Sequence, residues 1–492
     1  MTSKITHLSE LESVLCNNDK INEGVLQFFT AFKIERLLGA FDSLKSKGFS
    51  VSVVLLSLLL FRLRNESICR MQNQSRNFLE KIDDNTFYRL MNNPWMNWRK
   101  LLMSLAKQFA AHVKAKADHT SGVTCFVLDD TDIEKTGKTM EFIGRMFSHV
   151  TRLYPLGYKM LLLAFYDGKT LVATDFSLHR EKGSKGTYGL SKKESKLQFS
   201  KKRDVKSPGY KRVEELDIKK GEVAISMLKR AVKNGFSATY VLMDSWFVND
   251  HMIKNVRAIK NGAMHLLGMC KIDIRKYQVW GKELNAHQII AKCERSNSKY
   301  SRKYKSKYIS VVADYKGESV RLFFVKYNNA KNWNLLLTTD LTLTFVKAIE
   351  LYQIRWTIEV LFKECKQYLR LGGSQHTDFD GQIADITITL ATHTILSLQK
   401  RFSSYETMGE LFRETQQHLL ELTLWERLIK VFLKMLIELT SILNIDVDDT
   451  MKKLMQSKKE SRQLIAMLNT LSEFDENSQN NSQTAIWLSK AS

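Results

Sequence analysis

The chain has 492 residues, 44% hydrophobic and 26% charged, the mix of a globular protein with room for roughly two to four domains or subdomains; a peptide-scale module and a fibrous or disordered chain are excluded. Seventy-five Lys plus Arg against 52 Asp plus Glu leave a formal charge of +23 and a pI near 9.5, which favours a polyanionic partner, nucleic acid first. Six scattered cysteines without a C-x-x-C pair argue against a zinc site or a disulfide framework and fit a reducing cytosol.

Residues 1–115 carry helical periodicity in "LQFFTAFKIERLLGAF" (26–41), in the apolar run 51–61 and in "NWRKLLMSLAKQFAAHVKAKA" (97–117), so the first region is expected to be all-helical. The run 51–61 stops at Arg62, too short to span a bilayer, and no signal-peptide pattern precedes it; a cytoplasmic protein without a membrane partner is expected. From Val123 the pattern changes. A short apolar run, 123–128, ends in Asp129 and Asp130, and 158–179 reads as two strands joined through Asp167-Gly168.

Residues 179–219 place Lys182, Lys185, Lys192, Lys193, Lys201, Lys202, Arg203, Lys211 and Arg212 among glycines and serines, which reads as a mobile basic loop. A helix follows at 221–235, then a third strand, "ATYVLMD", ending in Asp244, and a helix near 247–261. Alternating runs between 263 and 339, with a basic turn at 297–307, predict a β-rich segment.

The stretch "YQIRWTIEVLFKECKQYLRLGG", 352–373, reads as one helix. At about 100° per residue, Tyr352, Arg355, Glu359 and Lys366 fall within an arc of about 60°, beside the apolar face of Ile354, Ile358, Leu361, Phe362, Cys365 and Leu369. A solvated stripe with a Glu359–Lys363 pair is the plain alternative to a site. Residues from about 384 to 470 are again helical in pattern, and the polar end "DENSQNNSQ" (475–483) reads as frayed.

Two acids close two apolar strands, where side chains are held rigidly yet face a crevice. Carboxylate oxygens suit hard divalent ions, and two such ions serve an in-line displacement at phosphorus. Strand with Asp, hairpin, helix, strand with Asp, helix, strand, then a later helix with Glu is the order of an RNase H-like nucleotidyl-transfer core.

The spacing Tyr352, two residues, Arg355, three residues, Glu359, six residues, Lys366 resembles the Tyr-Arg-Glu-Lys signature of the DDE transposases of bacterial insertion sequences, the insertion-sequence-four family. The resemblance extends to "FVLDDTD", "YVLMDSWF" and the β-rich segment, from about 123 to 375. It implies an α/β fold in which an RNase H-like catalytic core (120–262 and 340–400) is interrupted by a β-rich insertion (263–339). Helical regions flank it: 1–115, expected to bind DNA, and 401–492, with 428–443 as a dimerisation candidate.

It further implies that Asp129, Asp244 and Glu359 bind two Mg²⁺ or Mn²⁺ ions, and that Tyr352, Arg355 and Lys366 contact double-stranded DNA at the element's inverted repeats. The implied activity is strand cleavage and transfer into target DNA by a homodimer, in a prokaryotic, nucleoid-associated setting. Asp130 rivals Asp129, which is preferred because Thr131 stands two positions on. In relatives that excise through a hairpin, a Trp of the insertion stacks on a flipped base; Trp280 and Trp333 lie in that segment without a motif to single either out. A non-catalytic DNA-binding descendant and a nuclease that cuts without joining are the alternatives.

Overall fold

Unbroken apolar runs become strands covered on both faces, and alternating runs become strands wet on one. β1 (Cys125–Glu134) and β3 (Leu156–Tyr166) pair antiparallel from Cys125↔Tyr166 to Glu134↔Gly157, and β3 pairs antiparallel with β4 (Leu171–His179). Every residue of β4 is buried. The β3–β4 turn is closed by Asp167, whose carboxylate accepts from the amides of Lys169 and Thr170, and by Gly168 at φ 104°, a conformation that favours glycine. β5 (Tyr240–Met243) runs parallel to β1, and β6 (His265–Cys270) parallel to β5.

The order β4-β3-β1-β5-β6 continues through β12 (Asn334–Thr338), β11 (Glu318–Tyr327), β10 (Ser306–Tyr315), β7 (Lys276–Val279) and β8 (Lys282–Asn285). With β2 (Gly144–Arg145) on β3 and β9 (Lys299–Ser301) on β10, the described residues form one 12-stranded sheet, with α7 (Asp250–Ala258) between β5 and β6 and α8 (Ala286–Cys293) between β8 and β9 in the chain. The β-rich segment therefore shares its sheet with the first half, and its first strand, β6, pairs directly with β5.

This computed structural model describes residues 41–44, 51–63, 83–115, 122–149, 151–328 and 330–402, with single residues at 49, 68 and 408. All lie within Phe29–Gln417, one of two units into which the chain divides. The helical stretch read at 26–41, apart from Phe41, the assembly candidate at 428–443 and the polar end at 475–483 lie outside the described residues. Among the described residues no helix is long and apolar enough to cross a membrane.

α1 (Val51–Leu63), α2 (Asp84–Met91), α3 (Trp98–Ala115) and α11 (Phe379–Phe402), the last helix among the described residues, pack together, and α3 and α11 lie on β4. α11 is buried through most of its length, and the hydroxyls of Thr387, Thr389, Thr392 and Thr394 donate back to carbonyls four residues earlier, so these buried hydroxyls are satisfied within the helix.

The segment 179–219, expected to be a mobile loop, is built. It holds α4 (Lys192–Lys196), closed by a reciprocal Ser191–Glu194 capping box, and α5 (Pro208–Glu215), capped by Ser207 with Pro208 in the first turn. Three of its basic residues turn inward. Arg203 bridges Glu141, Asp378 and Asp380; Lys201 pairs with both aspartates; Arg212 donates to the Phe176 carbonyl. A second network holds the fully buried Asp175 between Arg99 of α3 and Arg230 of α6 (Lys220–Lys233), with Glu215 beside it. These partners lie far away in sequence, so the local pattern reads only a run of charge. Lys182, Lys185, Lys192, Lys193, Lys202 and Lys211 remain exposed.

Candidate active site

The site begins where parallel pairing stops. Leu128↔Met243 is the last registered pair of β1 and β5, so the next residue on each chain is an acid, Asp129 on one and Asp244 on the other. β5 ends there in a turn closed by the Phe247 amide on the Asp244 carbonyl. β1 does not end at Asp129 as expected: it runs on to Glu134, paired with β3 alone. The loss of its parallel neighbour, rather than its own termination, leaves the β5 side of β1 unpaired from Asp129 onward.

Successive strand residues face opposite sides, which separates the two rival acids. Asp130 pairs with Lys220 at the start of α6, whose ammonium lies 4.2 Å from the centroid of the Trp246 ring. Asp129 instead accepts from Arg355: Nη1 donates to Asp129 Oδ2 at 2.9 Å, and Nη2 donates to Glu359 Oε1 at 2.7 Å. One guanidinium thus joins the first and third acids, 230 positions apart at their extremes in the chain. Burial pushes the Asp129 carboxyl up to about 7, with the charges of Asp130 and Asp244 adding, and Arg355 and the Asp130 amide opposing.

The stretch read as one helix is two. α9 (Phe345–Gln353), capped by Thr344, stops at Ile354, and α10 (Trp356–Tyr368) starts after Arg355. Across the joint the amides of Ile354, Arg355, Thr357 and Ile358 each bond the carbonyl three residues back, the tighter winding of a 3₁₀ turn. The apolar face of α10 is buried as the spacing requires, at Ile358, Leu361, Phe362 and Cys365. That contact fixes which side Glu359 presents.

Arg355 itself is only 7% exposed. Its Cζ lies 5.0 Å from the centroid of the Trp356 ring and 5.7 Å from that of Tyr352, and its Nε is buried without a hydrogen-bond partner. Tyr352 is half-buried; desolvation pushes its phenol up to about 12, with Arg355 opposing and Asp244 adding. Lys366 donates to Thr131 Oγ1 at 2.9 Å, and partial desolvation holds its ammonium below the usual lysine range against the pull of Asp132 and Glu134. Of the six residues singled out in the sequence, the structure brings Asp129, Arg355 and Glu359 into direct contact, sets Asp244 and Tyr352 within electrostatic reach, and places Lys366 on the same edge of β1.

Sequence reasoning missed Lys220 and Trp246. Lys220 neutralises the rival acid, and Trp246, two residues past Asp244, is 51% exposed. The Trp following an acid at a strand end was visible; the lysine carried no local signal. Trp280 is exposed in the β7–β8 turn and Trp333 is half-buried near Lys326.

Among the described residues no three His, Cys, Asp or Glu side chains are grouped to hold a metal ion in this arrangement. The donor chemistry nevertheless fits a hard cation. Asp129, Asp244 and Glu359 offer only carboxylate oxygens, and a positive charge already sits between two of them in the form of Arg355, whose Nε is unsatisfied there. No curated protein matches the chain. Residues 217–395 match the family model described as the transposase DDE domain, a span that takes in Asp244, Tyr352, Arg355, Glu359 and Lys366 and begins beyond Asp129; the match supports a DDE transposase.

Proposed function

We propose that the protein is a DNA transposase that binds the ends of its element, cuts a strand at each end to free a 3′-hydroxyl, and joins that hydroxyl to target DNA. The observation that carries this is the meeting of Asp129 and Glu359 on one guanidinium at the point where β1 loses its parallel neighbour and Asp244 follows β5. The strand order β4-β3-β1-β5-β6 supports an RNase H-like core, with β7 to β12 as its insertion.

Asp129, Asp244 and Glu359 would hold two divalent ions, Mg²⁺ or Mn²⁺, which when bound supply a lowered pKa for the attacking water or hydroxyl and charge for the leaving 3′ oxygen. The chain's own groups do the rest. Tyr352 and Lys366 bind and orient backbone phosphates beside the acids, and the exposed lysines of 179–219 add affinity without reading sequence. Sequence reading falls to 1–115 and subunit pairing to 401–492.

The test uses duplexes carrying the inverted repeats that flank the coding sequence, intact or pre-cut. Mg²⁺-dependent cleavage of the first and joining of the second, both abolished in Glu359→Gln, is the expected result. Cleavage without joining would make the protein a nuclease. The closed contact of Arg355 with two of the acids favours one rival, a non-catalytic DNA-binding descendant, which would bind the repeats and cut nothing under any metal.

A further inference from the structure

We infer that Arg355 is an internal counter-cation that holds the acid centre closed to metal, and that a DNA phosphate releases it, so that metal loading and DNA binding are coupled through this one side chain. The inference rests on the metal-dependent reading above and adds its regulation. Three observations carry it. Arg355 spends both terminal nitrogens on the two carboxylates, Nη1 on Asp129 at 2.9 Å and Nη2 on Glu359 at 2.7 Å, so a divalent ion must compete with a charge already in place. Its Nε is a buried donor with no acceptor, so this position leaves the guanidinium incompletely satisfied.

The way out is also built. Arg355 sits at the joint of α9 and α10, the Glu359 side chain is 42% exposed, and Trp356 beside it is 55% exposed. The neighbours of the guanidinium on that side, Glu359 and Trp356, therefore face solvent. A phosphate arriving there offers the planar fork the paired oxygens it now takes from the two acids. Movement of Arg355 onto a phosphate exchanges its two carboxylate partners for one phosphate and frees both carboxylates together. Reciprocity then requires that metal strengthen DNA binding by the same factor as DNA strengthens metal binding.

The test is Mn²⁺ binding, followed by electron paramagnetic resonance of the free ion, to the full chain as wild type, Arg355→Gln and Arg355→Gln with Asp129→Asn, with and without a flanking-repeat duplex. Without DNA, Arg355→Gln should bind Mn²⁺ more tightly than wild type by roughly tenfold or more, within the usual range for coupled sites, and adding Asp129→Asn should abolish the gain. The duplex should tighten Mn²⁺ binding to wild type far more than to Arg355→Gln. Equal affinity of wild type and Arg355→Gln without DNA overturns the inference while leaving the metal-dependent reading intact, provided the DNA complex binds Mn²⁺. No binding in any protein, with DNA present, overturns both. Should Arg355→Gln fail to fold, Arg355→Lys keeps the charge but cannot bridge both acids; it should show a smaller gain, and no gain would overturn the inference.

Discussion

Replacing Arg203 by Met tests the claim that the basic segment 179–219 is part of the fold's interior rather than a free arm. The Arg203 side chain is 3% exposed and binds Glu141 through both terminal nitrogens at 2.5 and 2.8 Å, Asp380 through Nε at 2.9 Å and Asp378 at 3.3 Å. In its absence Lys201, at 2.5 Å from Asp378 and 2.7 Å from Asp380, still covers the aspartates. Glu141, 2% exposed in its side chain, keeps only the amides of Lys201 and Phe379. Removing one partner of a buried pair costs about 3–5 kcal/mol, because the other charge is left uncompensated, so a loss of about 4 kcal/mol is expected. That is a large share of the roughly 5–15 kcal/mol that holds a domain together. Urea unfolding at neutral pH measures it, and adding Glu141→Gln should recover part of the loss since no lone carboxylate remains. A loss below about 1 kcal/mol for Arg203→Met would refute the reasoning and return this segment to the surface.

The exposed lysines of the same segment should behave in the opposite way. Changing Lys182, Lys185, Lys192 and Lys193 to Ala should leave unfolding within about 0.5 kcal/mol each but flatten the salt dependence of DNA binding by about 0.9 for each phosphate no longer neutralised; an unchanged slope would remove them from the DNA interface. Asp129→Asn should abolish strand cleavage whereas Asp130→Asn, which gives up only its Lys220 pair, should retain it, as read in a nicking assay; the reverse ranking would exchange the two acids. His179, 4% exposed, has its pKa pushed down to about 4, first by burial and then by Lys220. The unfolded chain, near 6.5, then takes up its proton first, so stability falls as the pH drops from about 6.5 to about 4, by up to about 3 kcal/mol. Urea titrations at pH 7 and pH 4.5 should show that loss in wild type and a smaller one in His179→Gln; equal losses would clear His179 of the effect.

β3 and β5 were legible because each holds a long apolar run bounded by turn residues, and β1, β3, β4, β5 and α6 lie close to where the pattern puts them. The nearness of Asp129 and Asp244 comes from the parallel register of β1 and β5, whose last pair, Leu128↔Met243, sets the next residue of each strand side by side. Three features were hidden. β1 continues past Asp129 because its hydrogen bonds are supplied by β3, a partner no local pattern names. The break between α9 and α10 falls at Ile354 and Arg355, with neither Pro nor Gly to mark it. The inward turn of Arg203 depends on Glu141 and Asp380, 62 and 177 positions away, so its charge read as an exposed one.

The central claim is that Asp129, Asp244 and Glu359 form one divalent-cation centre. Anomalous scattering from Mn²⁺-soaked crystals of the chain bound to its flanking-repeat duplex measures this directly. The account predicts manganese peaks ligated by all three carboxylates, with the guanidinium of Arg355 displaced toward a phosphate. Manganese absent from these acids in the DNA-bound crystal, with Arg355 still joining Asp129 to Glu359, would contradict it.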